Sequence, residues 1–94
     1  MVQKKEIVFI VNPRSGTHGK NEIPRIIGES IDKGAFNSQV IFTEYAGHAA
    51  EIASRCVAEK TDIAVAVGGD GTVNEVARSL VHSDTALGIV PCGS

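Results

Sequence analysis

Hydrophobic positions along the chain alternate between short runs of strand character and stripes of helical spacing, and glycine, proline or asparagine marks each change of period. Residues 6–11 predict a first strand around the run Ile7-Val8-Phe9-Ile10-Val11. A loop over 12–20 follows. Ile23, Ile26, Ile27 and Ile31 then recur at helical spacing, with Pro24 early enough for a first turn, and this helix is expected to end near Gly34. Gln39-Val40-Ile41-Phe42 predicts a second strand, and a turn around Tyr45-Ala46-Gly47 leads into a second helix with Ala49, Ile52, Ala53, Cys56 and Val57 on one face. Ile63-Ala64-Val65-Ala66-Val67 is uninterrupted and apolar, as suits a central strand buried on both faces. After Gly68-Gly69-Asp70-Gly71 a third stripe runs through Val73, Val76, Ala77, Leu80 and Val81, and Leu87-Gly88-Ile89-Val90 predicts a fourth strand.

This βαβαβαβ order implies an α/β domain, a parallel sheet between two helical layers with right-handed crossovers. Ligands of such sheets bind outside the carboxyl ends of the strands. Here every strand-to-helix loop carries glycine: Gly16 and Gly19, Gly47, and Gly68 to Gly71. One edge is therefore built for close backbone approach.

At 94 residues the chain is one domain. Hydrophobic residues make up 43%, charged ones 21%, and the net charge is −2 with neither sign in a long block, which argues against disorder and against a nucleic-acid or polybasic membrane module. The apolar runs are too short for a membrane span or a secretory leader. Cys56 and Cys92 suggest free thiols, Cys56 on a core face, and with these absences they predict a cytoplasmic protein. The chain closes at Pro91-Cys92-Gly93-Ser94, directly after a strand, and is expected to be the first part of something longer.

Among the motifs, Gly68-Gly69-Asp70-Gly71-Thr72 is the strongest. Glycines permit positive φ and remove side chains, so backbone N–H groups and a helix N-terminus can face a phosphate. The plainer alternative is a tight turn with Asp70 favoured by the helix dipole. Thr72-Val73-Asn74-Glu75 fits a capping box, which would leave Asn74 facing the loop edge or solvent. Asn12-Pro13-Arg14-Ser15-Gly16-Thr17-His18-Gly19-Lys20 combines cations, hydroxyls and glycines, but its spacing is neither a Walker A loop nor a G-x-G-x-x-G fingerprint. His48 reads as a cap or packing residue. No group of His, Cys and carboxylates has metal-site spacing.

Taken together, Asn12-Pro13-Arg14-Ser15-Gly16, Thr43 with Gly47-His48-Ala49, Gly68 to Val76, and Leu87 to Ser94 resemble the N-terminal nucleotide-binding domain of the diacylglycerol kinase catalytic family, which includes bacterial lipid kinases and the sphingosine and ceramide kinases. The resemblance implies the phosphofructokinase-like fold shared with NAD kinases, and ATP with Mg²⁺ bound between this domain and a second, β-rich, lipid-binding domain. It implies that Asn12, Ser15, Gly16, Thr43, Gly68, Gly69, Asp70, Gly71 and Thr72 line the nucleotide, that Asp70 supports the magnesium, and that Asn74 and Glu75 steady the loop. The family's Gly-Asn-Asp continuation and its general base, an aspartate of the second domain, are not in these residues. The chain alone is therefore expected to bind nucleotide weakly and transfer nothing. Peripheral membrane contact of the longer protein and a homodimer are compatible with the resemblance. An NAD kinase relative, which shares the Gly-Gly-Asp-Gly-Thr element, and a stand-alone nucleotide-binding module are the alternatives.

Overall fold

The computed structural model describes residues 3–13, 25, 27–29 and 31–91. Four strands, β1 (Lys5–Val11), β2 (Phe36–Phe42), β3 (Ile63–Gly68) and β4 (Ala86–Pro91), form one sheet in the order β2-β1-β3-β4, and every neighbouring pair is parallel. Helix α1 (His48–Ala58) joins β2 to β3 and α2 (Asp70–Leu80) joins β3 to β4. The chain leaves β1 toward one side of the sheet and β3 toward the other, so the strand order reverses between them. Such a reversal opens a crevice at the carboxyl ends of the two strands.

Register explains how two short hydrophobic strands fill both layers. In parallel pairs Val8 faces Ala64 and Ile10 faces Ala66, and these side chains share a core with Ala49, Ile52, Ala53 and Cys56 of α1 and Val76 and Leu80 of α2. The alternate residues Ile7, Phe9, Val11, Val65 and Val67 point to the opposite face, where Ile27, Ile31, Phe36, Val40 and Phe42 cover them. Ala64 and Ala66 supply little volume, which lets the helices approach the sheet closely. Burial pushes the Cys56 thiol up from its ordinary pKa, against a weaker opposing hydrogen bond with Thr61.

Three expectations need adjusting. The second strand starts at Phe36 rather than Gln39, because Asn37, Ser38 and Gln39 stay exposed while pairing with the start of β1, and a polar stretch hides such pairing from a hydrophobic pattern. Of the first predicted helix, Arg25 and Ile27 to Glu29 are helical, and the rest of its stripe lies largely outside the described residues. Helix does not continue to Gly34: Asp32 accepts from the Gly34 N–H through Oδ1 at 2.9 Å and from the Ala35 and Phe36 N–H groups through its carbonyl, which turns the chain into β2. The central position is shared, since β1 and β3 both lie inside the sheet and are both buried. Among the described residues no helix is long and apolar enough to cross a membrane.

Candidate functional site

The carboxyl ends of β1, β2 and β3 and the starts of α1 and α2 surround a cleft of about 320 Å³, at the point where the strand order reverses. Asn12 and Pro13 follow β1, Thr43 to Ala46 follow β2, Ala49 comes from α1, and Gly71, Thr72 and Glu75 come from α2. Backbone hydrogen bonds hold the strand ends together: the Asn12 N–H donates to the Val67 carbonyl at 3.0 Å and the Thr43 N–H to the Val11 carbonyl at 2.8 Å. Across the crevice, Asn12 Nδ2 donates to Thr72 Oγ1 at 3.4 Å.

The start of α2 differs from the expected capping box. Helix begins at Asp70, after an N-cap at Gly69, so Thr72 lies inside the first turn and cannot cap it. No side chain caps this terminus. The N–H groups of a first turn have no partner within their own helix, and here they are open to an anion. Gly69 is extended (φ −89°, ψ −169°), so the loop does not use the positive φ that its glycines permit. Gly71 is helical, and a Cβ built on it meets nothing within 4 Å. Neither backbone conformation nor crowding requires glycine there, and glycine costs a helix about 0.5–1 kcal/mol relative to alanine. What glycine leaves at this position is space on the cleft wall.

The start of α1 is built otherwise. Gly47 holds φ at +89°, a conformation that side chains oppose. His48 then folds back so that its Nδ1 accepts from the Glu44 N–H at 2.9 Å, and its own N–H donates to the Tyr45 carbonyl at 3.1 Å. The histidine acts as a cap, as expected.

Of the described residues expected to bind nucleotide, Asn12, Thr43, Gly71 and Thr72 line the cleft, and Glu75 lines it with them. Gly68, Gly69, Asp70 and Asn74 are not on its wall: Gly68 is buried at the end of β3, whereas Gly69, Asp70 and Asn74 are exposed around the first turn of α2. Ser15 and Gly16 fall outside the described residues, as does Cys92. Sequence reasoning passed over Glu44 and Tyr45 as lining residues, although a single tyrosine placed directly after a strand at this edge was a visible signal. The described residues hold no group of three or more His, Cys, Asp or Glu able to cage a metal ion.

The model of the diacylglycerol kinase catalytic domain matches residues 6–94, a span that includes the whole sheet, both helices and the cleft. The chain belongs to the diacylglycerol kinase family. It is 33% identical to the diacylglycerol kinase of Staphylococcus saprophyticus and equally to that of a bovine strain of Staphylococcus aureus, over 97% of this chain and 30% of each relative. A crystal structure of a diacylglycerol kinase from Bacillus anthracis superposes with a TM-score of 0.75 at 26% identity, over 95% of this chain and 33% of that one. The chain thus spans about a third of the length of the family members it matches.

Proposed function

We propose that these 94 residues are the ATP-binding part of a lipid kinase of diacylglycerol kinase type, in which the γ-phosphoryl group of ATP passes to a lipid hydroxyl. The observation that carries the reading is Gly71: a glycine inside a helical turn, on the cleft wall, with open space where a side chain would be. Phosphate oxygens in that space would meet the uncapped N–H groups of the first turn of α2. Asn12, Thr43 and Thr72 offer polar side chains around the same volume, Gly68 and Gly69 deliver the chain to it, and Ser15 and Gly16 would complete the wall from the loop after β1. Asn74 and Glu75 would steady the turn from its far side.

Charge favours phosphates that arrive neutralised. Among the described residues the ionisable side chains on the cleft wall are Glu44, Tyr45 and Glu75, and carboxylates repel a bare triphosphate. Mg²⁺ keeps several waters and is held through one or two carboxylates plus substrate phosphates, so the lack of a three-residue cage fits it. Asp70, exposed in the first turn two residues before Thr72, would supply one carboxylate. Bound ATP supplies the transferable phosphoryl group. Holding the triphosphate still and spreading its charge over fixed dipoles is the contribution of this chain. The general base that takes the proton of the lipid hydroxyl is proposed to lie outside these residues, so that the chain alone binds nucleotide weakly and transfers nothing, and any contact of the whole kinase with a membrane surface is peripheral.

The test is an amide-resolved NMR titration of the chain with Mg-ATP, with NAD in a parallel series. Saturable shifts at Gly69, Gly71 and Thr72 are expected with Mg-ATP. Amides that stay in place while the chain is folded would sink the reading of this cleft. A protein extended to the full length of its relatives, given Mg-ATP and a panel of diacylglycerols and sphingoid bases, is expected to phosphorylate a lipid. Formation of NADP from NAD without lipid product would move the chain's activity to NAD phosphorylation.

A further inference from the structure

The rim opposite α2 carries a built feature that phosphate binding leaves unused. Tyr45 lines the cleft and is 55% exposed, yet its ring is held at both ends. One face lies on the imidazole of His48, with centroids 4.4 Å apart and planes 15° from parallel. Its hydroxyl donates to Glu51 Oε1 at 3.0 Å. His48 is fixed in turn by the Glu44 N–H, and Glu51 is anchored one turn into α1, where its N–H donates to the Gly47 carbonyl at 3.2 Å. Exposed aromatic side chains gain little for the fold by such restraint. With His48 covering one side, the surface that remains open is the other ring face.

The polarity of the cleft decides what that face suits. Glu44 and Glu51 flank the ring, and the Tyr45 phenol is held above its ordinary pKa, first by its hydrogen bond to Glu51 and further by the charges of Glu51 and Glu44. Anionic groups are unwelcome at this end, whereas the uncapped N–H groups favour them at the other. A ligand with a planar uncharged end and an anionic end has one orientation here.

We propose that Tyr45, backed by His48 and tethered by Glu51, is the platform on which the base of the bound nucleotide stacks. The inference rests on the nucleotide reading of the cleft and adds the subsite that reads the base. Stacking accepts any base, because every base has a π face. Tyr45 touches the ligand, whereas His48 and Glu51 act through it as positioning residues.

Tyr45 is the single tyrosine of a chain without tryptophan, so its ring resonances are unambiguous. The chain is titrated with Mg-ATP and, separately, with magnesium tripolyphosphate, which has the phosphates and no base. Mg-ATP is expected to move both the Tyr45 ring protons and the amides of Gly71 and Thr72, and tripolyphosphate the amides alone. Tyr45→Ala is expected to weaken ATP about tenfold, within the range of base–aromatic stacking, and to leave tripolyphosphate unchanged. Tyr45→Phe keeps ATP affinity within about twofold on the same grounds, since the ring is retained. If ATP moves the α2 amides while the Tyr45 ring stays in place, or if Tyr45→Ala binds ATP as tightly as the parent, the platform is wrong and the phosphate site stands. If ATP moves neither, both readings fall together.

Discussion

Gly47 and Gly71 stand at the starts of two helices on the same edge of the sheet, and a Cβ on either would meet open space. They are glycines for different reasons. Gly47 holds φ at +89°, so the fold itself requires it, whereas Gly71 sits in helical backbone that alanine would favour. The contrast separates a glycine that makes a turn from one that leaves room. Stability and binding should therefore respond in opposite ways at the two positions.

The largest effect is expected on binding. Gly71→Ala places a methyl in the space assigned to a phosphate, and hydrogen bonds to charged groups are worth about 1.5–3 kcal/mol each, so Mg-ATP affinity should fall by roughly thirtyfold. The same variant should melt no lower than the parent, because alanine is the better helix former by up to about 1 kcal/mol. Calorimetric titration and thermal unfolding read the two halves of this statement. A variant that loses stability and keeps ATP would reverse the assignment.

Gly47→Ala is the mirror experiment. A side chain in the left-handed region costs about 1–2 kcal/mol, which lowers the melting temperature of a domain this size by about 4–8 °C per kcal/mol. Once folded, the variant should keep most of its ATP affinity, since Gly47 is not on the cleft wall. His48→Ala probes the same turn from its side chain. It strands the Glu44 N–H near the surface and removes the stack under Tyr45, for an expected loss of about 0.5–1.5 kcal/mol. Urea denaturation would measure it, and a loss below about 0.3 kcal/mol would mean that the hydrogen bond, normally worth about 1 kcal/mol, is not made in solution.

The opposite ends of the two helices offer smaller effects of opposite sign. Lys60 follows α1 at φ 60°, and the Lys60 and Thr61 N–H groups donate to the carbonyls of Val57 and Cys56, the Schellman pattern in which glycine is the usual residue. His82 follows α2 at φ 64° in a turn closed by the Ser83 N–H on the Leu80 carbonyl. Lys60→Gly and His82→Gly should each stabilise by about 0.5 kcal/mol, the strain relieved less the added entropy of the unfolded chain, with no change in ATP binding. A destabilised Lys60→Gly would show that the strain at this position is offset by contacts of the lysine stem.

Most of this architecture was legible in the chain because each strand and helix combined a clean period with a punctuating residue. The run 63–67 could only be buried, and Ala49, Ile52, Ala53 and Cys56 could only face one way. What escaped was set by partners distant in sequence. Phe36 to Ser38 become strand because Lys5 to Ile7 lie beside them, and no local pattern reports that. Thr72 looked like a cap because the four residues 72–75 carry a capping signature, but helix could start earlier once Gly69 left β3 in an extended conformation. Tyr45 was invisible as a cleft residue for a related reason, since its orientation depends on His48 and Glu51, three and six residues further along a helix whose phase the sequence fixes only loosely.

The smallest expected effect tests that orientation directly. Glu51 accepts the Tyr45 hydroxyl and so stabilises the neutral phenol, and its negative charge acts in the same direction, while Arg55 opposes. Glu51→Gln should therefore lower the Tyr45 pKa toward its ordinary value, and the absorbance of phenolate follows one residue because no other tyrosine or tryptophan is present. Because the folded pKa is raised, whatever stability the contact contributes is present below the unfolded value and is lost as pH rises through the folded one. Exposure of the ring keeps that contribution small, so the titration itself is the measurement. An unchanged pKa in Glu51→Gln would mean that the tether is not formed in solution, and the turn built on Gly47 would then have no fixed ring to offer the cleft.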